Sequence, residues 1–172
     1  MAQSLNRSLF VCLLSLFAGV ILPGCSKPAV VVDGVMPVTI GAKTFELDIV
    51  ADAETRERGL GGVMEMAADK GMLFSFPDSK LRRFVMRDCF IDIDIIFLDS
   101  AGRITAMHTM PIEEDKRDDE TQYAYESRLA KYSSRFNAKY AIELVGGMIE
   151  TLGIEDGQQI DLDTLYLESV TQ

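Results

Sequence analysis

Residues 91–109 read IDIDIIFLDSAGRITAMHT: a mostly apolar run, the turn-forming set Asp99-Ser100-Ala101-Gly102, and a second apolar run. Two short β-prone runs joined by a short glycine-containing loop specify an antiparallel hairpin, because glycine supplies the positive φ that such a loop needs. Similar runs recur along the chain. TFELDIV at 44–50 alternates apolar and polar residues, with Phe45, Leu47 and Ile49 on one face. MLFSF at 72–76 closes at Pro77-Asp78, and further runs occupy 82–90, 140–145 and 159–167. Asp52 is placed to cap a short helix through Leu60, and Gly146-Gly147 opens a second that reaches Leu152. The expected fold is mainly β: a sandwich-like or partly closed barrel of about seven to nine short strands with two short helices.

Residues 1–24 have the character of an export leader: a polar start with Arg7, an apolar run over 9–22, then Leu22-Pro23-Gly24-Cys25. The apolar run is shorter than a typical membrane span. The tetrapeptide resembles the lipobox of bacterial lipoprotein precursors, in which Cys25 receives a diacylglyceryl group and becomes the first mature residue. An uncleaved anchor or an ordinary signal peptide would share the same outline. Ser26 follows Cys25, and by resemblance to the sorting rule of enteric bacteria this favours outer-membrane delivery. The expected organisation is a lipoprotein signal peptide over 1–24, the lipidated cysteine and a tether over 25–43, and a single β-rich domain over 44–172. The tether segment 26–37, SKPAVVVDGVMP, could reach about 40 Å when extended at about 3.3 Å per residue.

Cysteine and charge narrow the partners. Cys12 leaves with the leader and Cys25 takes lipid, so Cys89 remains alone and no intrachain disulfide can form. Because His108 is the only histidine and no motif joins it to Cys89, Cys89 is expected to be a small buried hydrophobe rather than a nucleophile. Removing Arg7 leaves 16 basic residues against 27 acidic ones, and 16 − 27 gives −11. Such a surface repels nucleic acid and anionic lipid headgroups, so membrane attachment is expected through the lipid on Cys25.

Four segments, in order, resemble the family known as domain of unknown function 192. They are Arg58-Gly59-Leu60, GMLFSFP at 71–77, FVMRDCFIDIDIIFLDSAGRI at 84–104, and YAIELVGGMIETLGI at 140–154. The resemblance implies a mostly β, sandwich-like domain with small helices and no settled reaction. It also marks departures: Val85 stands where the family favours Trp, Asp88 where Asn is usual, and Asp92 where Pro is usual. Gly61-Gly62-Val63 replaces a turn bearing Met and Arg.

Several side chains could carry chemistry. In a strand, Asp92 and Asp94 share a face and lie about 6.6 Å apart at Cα, overlapping the spacing of paired catalytic carboxylates in inverting glycosidases. Any Asp-x-Asp strand gives that spacing. The favoured reading instead buries Asp94 and neutralises it with the bidentate donors of Arg58, an ion pair suggested by the resemblance, with Arg87 as competing partner. Glu143 is either a solvated outward residue or lines a pocket beside Asp94. No cofactor is expected. A metal site from Asp92, Asp94, His108 and Glu113 is disfavoured, since calcium wants a ligand loop and zinc more nitrogen or sulfur. His108 is expected to be a hydrogen-bonded structural residue. The acidic run EEDKRDDE, followed by Tyr123, Tyr125, Tyr132 and Phe136, is either solvated loop or a binding surface.

Two functions follow. One is a lipid-anchored, periplasm-facing envelope protein that binds a protein, a glycan or a small ligand through the loop 111–138, without catalysis. The other is an envelope hydrolase acting on a saccharide through Asp92, Asp94 and Glu143. The discriminating feature is whether these carboxylates converge in an open polar pocket.

Overall fold

The computed structural model describes residues 31–172. In chain order the elements are β1 (Val35–Ile40), β2 (Lys43–Val50), α1 (Ala53–Arg58), β3 (Lys70–Phe84), β4 (Ile93–Leu98), β5 (Ile104–Met110), α2 (Gln122–Arg128), β6 (Tyr132–Val145), α3 (Met148–Leu152) and α4 (Thr164–Val170). The strands form one sheet in the order β1-β2-β3-β6-β4-β5. All pairings are antiparallel except β2 with β3, whose crossover carries α1. The edges β1 and β5 do not pair with each other, so the sheet stays open.

Both faces of this sheet are covered. Leu47, Leu73, Ile96, Leu98, Ile142 and Leu144 build the core on one face, where α3, α4 and the C-terminal segment pack. Phe74, Phe76, Ile93, Ile95, Phe97 and Ala141 build the core on the other, closed by Leu60, Met86 and Cys89. Alternate residues of one strand therefore serve opposite cores, which is why β4 is buried at every position.

The hairpin expected at 91–109 forms. Asp99 Oδ1 accepts from the amides of Ala101 (2.8 Å) and Arg103 (2.9 Å), and Gly102 takes φ of 79°. Asp52 caps α1 by accepting from Thr55 N at 3.0 Å.

Elsewhere the architecture differs from expectation: it is mainly β, but one six-stranded open sheet with short helices, neither sandwich nor barrel. The runs at 72–76 and 82–90 are not two strands. β3 passes through Pro77 as a bulge, its register with β6 shifting between Ser75 and Lys80, and ends at Phe84. Residues 85–92 then fold over the sheet as a covering loop. The segment 159–167 is not a strand: Asp163 accepts from Tyr166 N at 3.0 Å and starts α4. Only an isolated bridge from Gln159 to Arg103 remains of the expected pairing. The sheet also takes in Val35–Ile40, so the folded unit begins before 44. The leader and Cys25 lie outside the described residues. Among the described residues no helix is long and apolar enough to cross a membrane.

Candidate functional site

Asp94 is fully buried, but the expected ion pair with Arg58 does not form. Strand parity explains the failure. Asp94 opposes Leu144 and Ile95 opposes Glu143, so Asp94 faces the α3 side while Glu143 faces the α1 side with Arg58. Ile149 N donates to Asp94 Oδ2 at 2.6 Å. The N-cap of α3 is Gly147, which has no side chain to offer, so a strand carboxylate supplies the missing helix cap. Asp94 Oδ1 is buried without a partner.

Asp92 lies one residue outside β4 and is exposed, with Oδ1 accepting from Ile112 N at 2.8 Å. Its carbonyl accepts from Gly146 N at 2.8 Å. Arg87, the alternative partner for Asp94, instead reaches Glu57 (3.6 Å) and Glu126 (3.5 Å). The sequence-predicted carboxylates are therefore not brought together. Asp92 and Asp94 hold backbone, and Glu143 stands on the far face.

Glu143 is the polar centre of that far face. It is 5% exposed, and its Oε2 has no hydrogen-bond partner. Burial pushes its carboxyl up to about 8, with the Leu60 backbone pulling more weakly the other way. Beside it lies a cavity of about 380 Å³ between α1 and the end of β3. Five arginines line this cavity: Arg56, Arg58, Arg82, Arg83 and Arg87. In a chain of net charge −10 that concentration of cations runs against the overall balance.

The arginines are not equally committed. Arg56 donates to the carbonyls of Ala51 (2.6 Å), Ser75 (3.0 Å) and Gln172 (2.8 Å), which ties α1 to the sheet and the C-terminus. Arg82 pairs with Asp78 and lies over the Phe76 ring at 4.0 Å. Arg58 and Arg83, both exposed, form no ion pair and no side-chain hydrogen bond among the described residues. Arg87 Nε is buried without a partner. Cys89 also lines the cavity; burial first, then the charges of Glu143 and Asp88, push its thiol up to about 12, so it stays protonated and unreactive. Phe76 and Phe84 supply an aromatic wall, their rings edge-to-face with centroids 6.4 Å apart. A second cavity, of about 480 Å³, adjoins Arg58, Gly61, Gly62 and Arg87.

The other candidates are structural. His108 Nε2 lies 2.7 Å from Ser133 O, and the ring packs edge-on to Phe97. The segment 111–131 carries α2, and its Tyr125 is buried with its hydroxyl accepting from Asp88 N at 3.1 Å. Most of its cations are committed: Arg117 and Arg128 to Glu120, Lys131 to the carbonyls of 126, 127 and 129, and Arg135 beyond it to Asp156, while the exposed Lys116 forms no ion pair among the described residues. Among the described residues no three His, Cys, Asp or Glu side chains cluster as metal ligands would.

A family model described as DUF192, an uncharacterised ACR, matches residues 36–162, most of the chain. The chain belongs to the DUF192 family. Two crystal structures share its fold. One, described as a candidate transcription regulator from Sinorhizobium meliloti 1021, is 25% identical with a TM-score of 0.59 over 73% of this chain and 89% of that one. The other is a protein of unknown function from Novosphingobium aromaticivorans DSM 12444, 23% identical, with a TM-score of 0.61 over 80% of this chain and 94% of that one. No curated protein matches the chain.

In this DUF192 domain, segments that carry the resemblance converge on the five-arginine cavity. Arg58-Gly59-Leu60, Phe84 and Glu143 are all in its wall. Of the departures, all but Asp92 include a residue that lines this cavity or its neighbour. Val85 lines the five-arginine cavity, and Gly61, Gly62 and Asp88 line its neighbour. Sequence reasoning singled out Arg58, Arg87 and Glu143 but missed Arg56, Arg82, Arg83 and Phe84. The available signal was the density of arginine at 56–58 and 82–87 within an acidic chain.

Proposed function

We propose that this DUF192 protein is a lipid-anchored envelope module, without catalytic activity, that binds a small molecule in the cavity between α1 and the end of β3. The observation that carries the reading is a pair of buried polar atoms, Glu143 Oε2 and Arg87 Nε, each without a partner on residues that line the same cavity. A buried polar atom left unpaired costs about 1–3 kcal/mol, and a bound molecule is one way to recover it. The loop 111–138 is a weaker candidate, because all its cations but Lys116 are already occupied within the fold. The paired-carboxylate hydrolase has no support in the geometry: Asp94 is fully buried and Glu143 faces the other side of the sheet. DNA binding, which the description of the Sinorhizobium relative would suggest, has no support in a net charge of −10. Export and anchoring at Cys25, with the periplasmic side and outer membrane as destination, rest on Leu22-Pro23-Gly24-Cys25-Ser26.

The test is a fragment screen on the isotope-labelled domain by protein-observed NMR. Amide shifts clustered at Leu60, Phe84, Val85 and Cys89 are expected. Hits confined to the loop 111–131, or none at all, would reject the cavity as the binding site.

A further inference from the structure

We infer that the ligand of this cavity is an organic oxyanion, a carboxylate or phosphate head held by Arg58 and Arg83 with an apolar body lying against Phe84 and Val85. The inference rests on the binding-module reading and adds the chemistry of what is bound.

Three features of the wall lead to it. The first is the charge that remains uncommitted. Arg58 and Arg83 reach the cavity without a carboxylate partner among the described residues, and Arg87 meets its acids only at 3.5 and 3.6 Å with Nε left over. Guanidinium groups that line one cavity match the planar, two-oxygen edge of a carboxylate or phosphate.

The second is that the buried polar groups are donors. Arginine has no acceptor atom. Glu143, held neutral by burial at pH 7, presents an O–H donor beside its carbonyl oxygen and brings no negative charge to repel an anion. Cys89 adds no negative charge, because its thiol stays protonated. A wall of donors is complemented by a group that only accepts, and an oxyanion is such a group. A neutral alcohol or amide would bring a hydrogen that Arg58 and Arg83 cannot accept.

The third is the rest of the lining. Leu60, Phe76, Phe84 and Val85 are apolar, so an inorganic anion would leave that surface unmatched. A Cβ at Gly59 would sit 3.5 Å from both Glu143 Oε2 and the Phe74 ring. Gly59 also adopts φ of 52° and ψ of −133°, a conformation other residues avoid, so the chain stays bare where it passes Glu143.

The experiment is NMR titration of the full domain with four probes: 3-phenylpropionate, its neutral analogue 3-phenylpropanol, phenyl phosphate and inorganic phosphate. Both aromatic anions are expected to shift Leu60, Phe84, Val85 and Cys89, with the alcohol at least tenfold weaker. Arg58→Ala and Arg83→Ala should each weaken anion binding roughly tenfold, as loss of a charge-assisted hydrogen bond does. Both side chains are exposed and unpaired, so the variants keep their fold, and unchanged amide spectra will show it. Glu143→Gln keeps a donor and should bind within about threefold of wild type, a spread ordinary for a retained hydrogen bond. Equal binding of alcohol and acid at these residues would overturn the oxyanion head while leaving the binding module intact. Equal binding of inorganic and phenyl phosphate would overturn the apolar body. Anion binding that survives both arginine substitutions would overturn their role, and the absence of any shift at the cavity would overturn this inference together with the function it rests on.

Discussion

Two carboxylates one strand apart have opposite consequences because of which face they take. Asp94 is a structural acceptor. Asp94→Ala would orphan the Ile149 amide and uncap α3, at an expected cost of about 1–3 kcal/mol, whereas Asp94→Asn keeps an acceptor oxygen and should cost less. Urea unfolding of the two variants against wild type checks the order; a harmless Asp94→Ala would contradict it. Glu143 instead couples the fold to pH. Its native carboxyl holds a proton until about pH 8, while the unfolded chain releases it near 4.5. Through that window the native state binds more protons, so this contribution to stability is fully present below about pH 4.5 and is lost as the pH rises through about 8. The groups lining the same cavity do not blur the window. Cys89 stays protonated, and the exposed Glu57 is drawn to Arg87 at 3.6 Å rather than to Glu143. From the strands, Met72 and Ile95 bring only apolar contact. Glu143→Gln should therefore flatten the fall in stability between pH 5 and pH 8, measured as the difference in unfolding free energy between the two proteins at each pH. Parallel curves would mean that Glu143 ionises normally.

At the scale of elements, what could be read from the sequence was what depends on contiguous residues. The β4–β5 hairpin is specified within 91–109, where Asp99 and Gly102 provide the turn and the flanking runs provide the strands. The Asp52 cap of α1 is equally local. Pro77 misled because a proline usually ends a strand; here it sits at a bulge, where no ladder amide is needed. The run 159–167 was ambiguous, since Ile160 and Leu162 alternate as in a strand while Asp163 offers a helix cap. The site was partly legible for the same reason. Strand parity places Glu143 and Asp94 on opposite faces once they are paired, but nothing local says which face α1 covers. Gly71 shows how tightly β3 is fitted at that point. A Cβ there would approach Glu143 O at 2.4 Å, Leu144 Cδ2 at 2.8 Å and Leu47 Cδ2 at 2.9 Å. Gly71→Ala should separate β3 from β6, destabilise by about 3 kcal/mol, and disturb the strand that carries Glu143. Thermal unfolding, together with the amide shifts of 140–145, tests both effects.

For the whole molecule, the proposed envelope role raises the question of how an acidic domain would stay at a membrane. With the expected leader removed the formal charge would be −11, and the concentrated cations border a cavity rather than a flat face. An anionic bilayer therefore repels the domain, and a juxtamembrane basic segment is missing from SKPAVVVDGVMP, whose one cation is Lys27. Under the proposed anchoring, attachment would fall to acyl chains. A single chain binds only marginally, whereas the diacylglyceryl group expected on Cys25 gives two and reaches stable anchoring. The domain over 31–172 should accordingly remain in the supernatant with vesicles of phosphatidylglycerol at any ionic strength, while the full chain expressed in a bacterium should fractionate with membranes and incorporate a labelled fatty acid. Cys25→Ala should abolish the label. If the variant remained membrane-bound through its uncleaved apolar run, the label alone would separate lipidation from simple retention, and an unlabelled wild-type chain would remove the lipid anchor from the proposed function while leaving the cavity untouched.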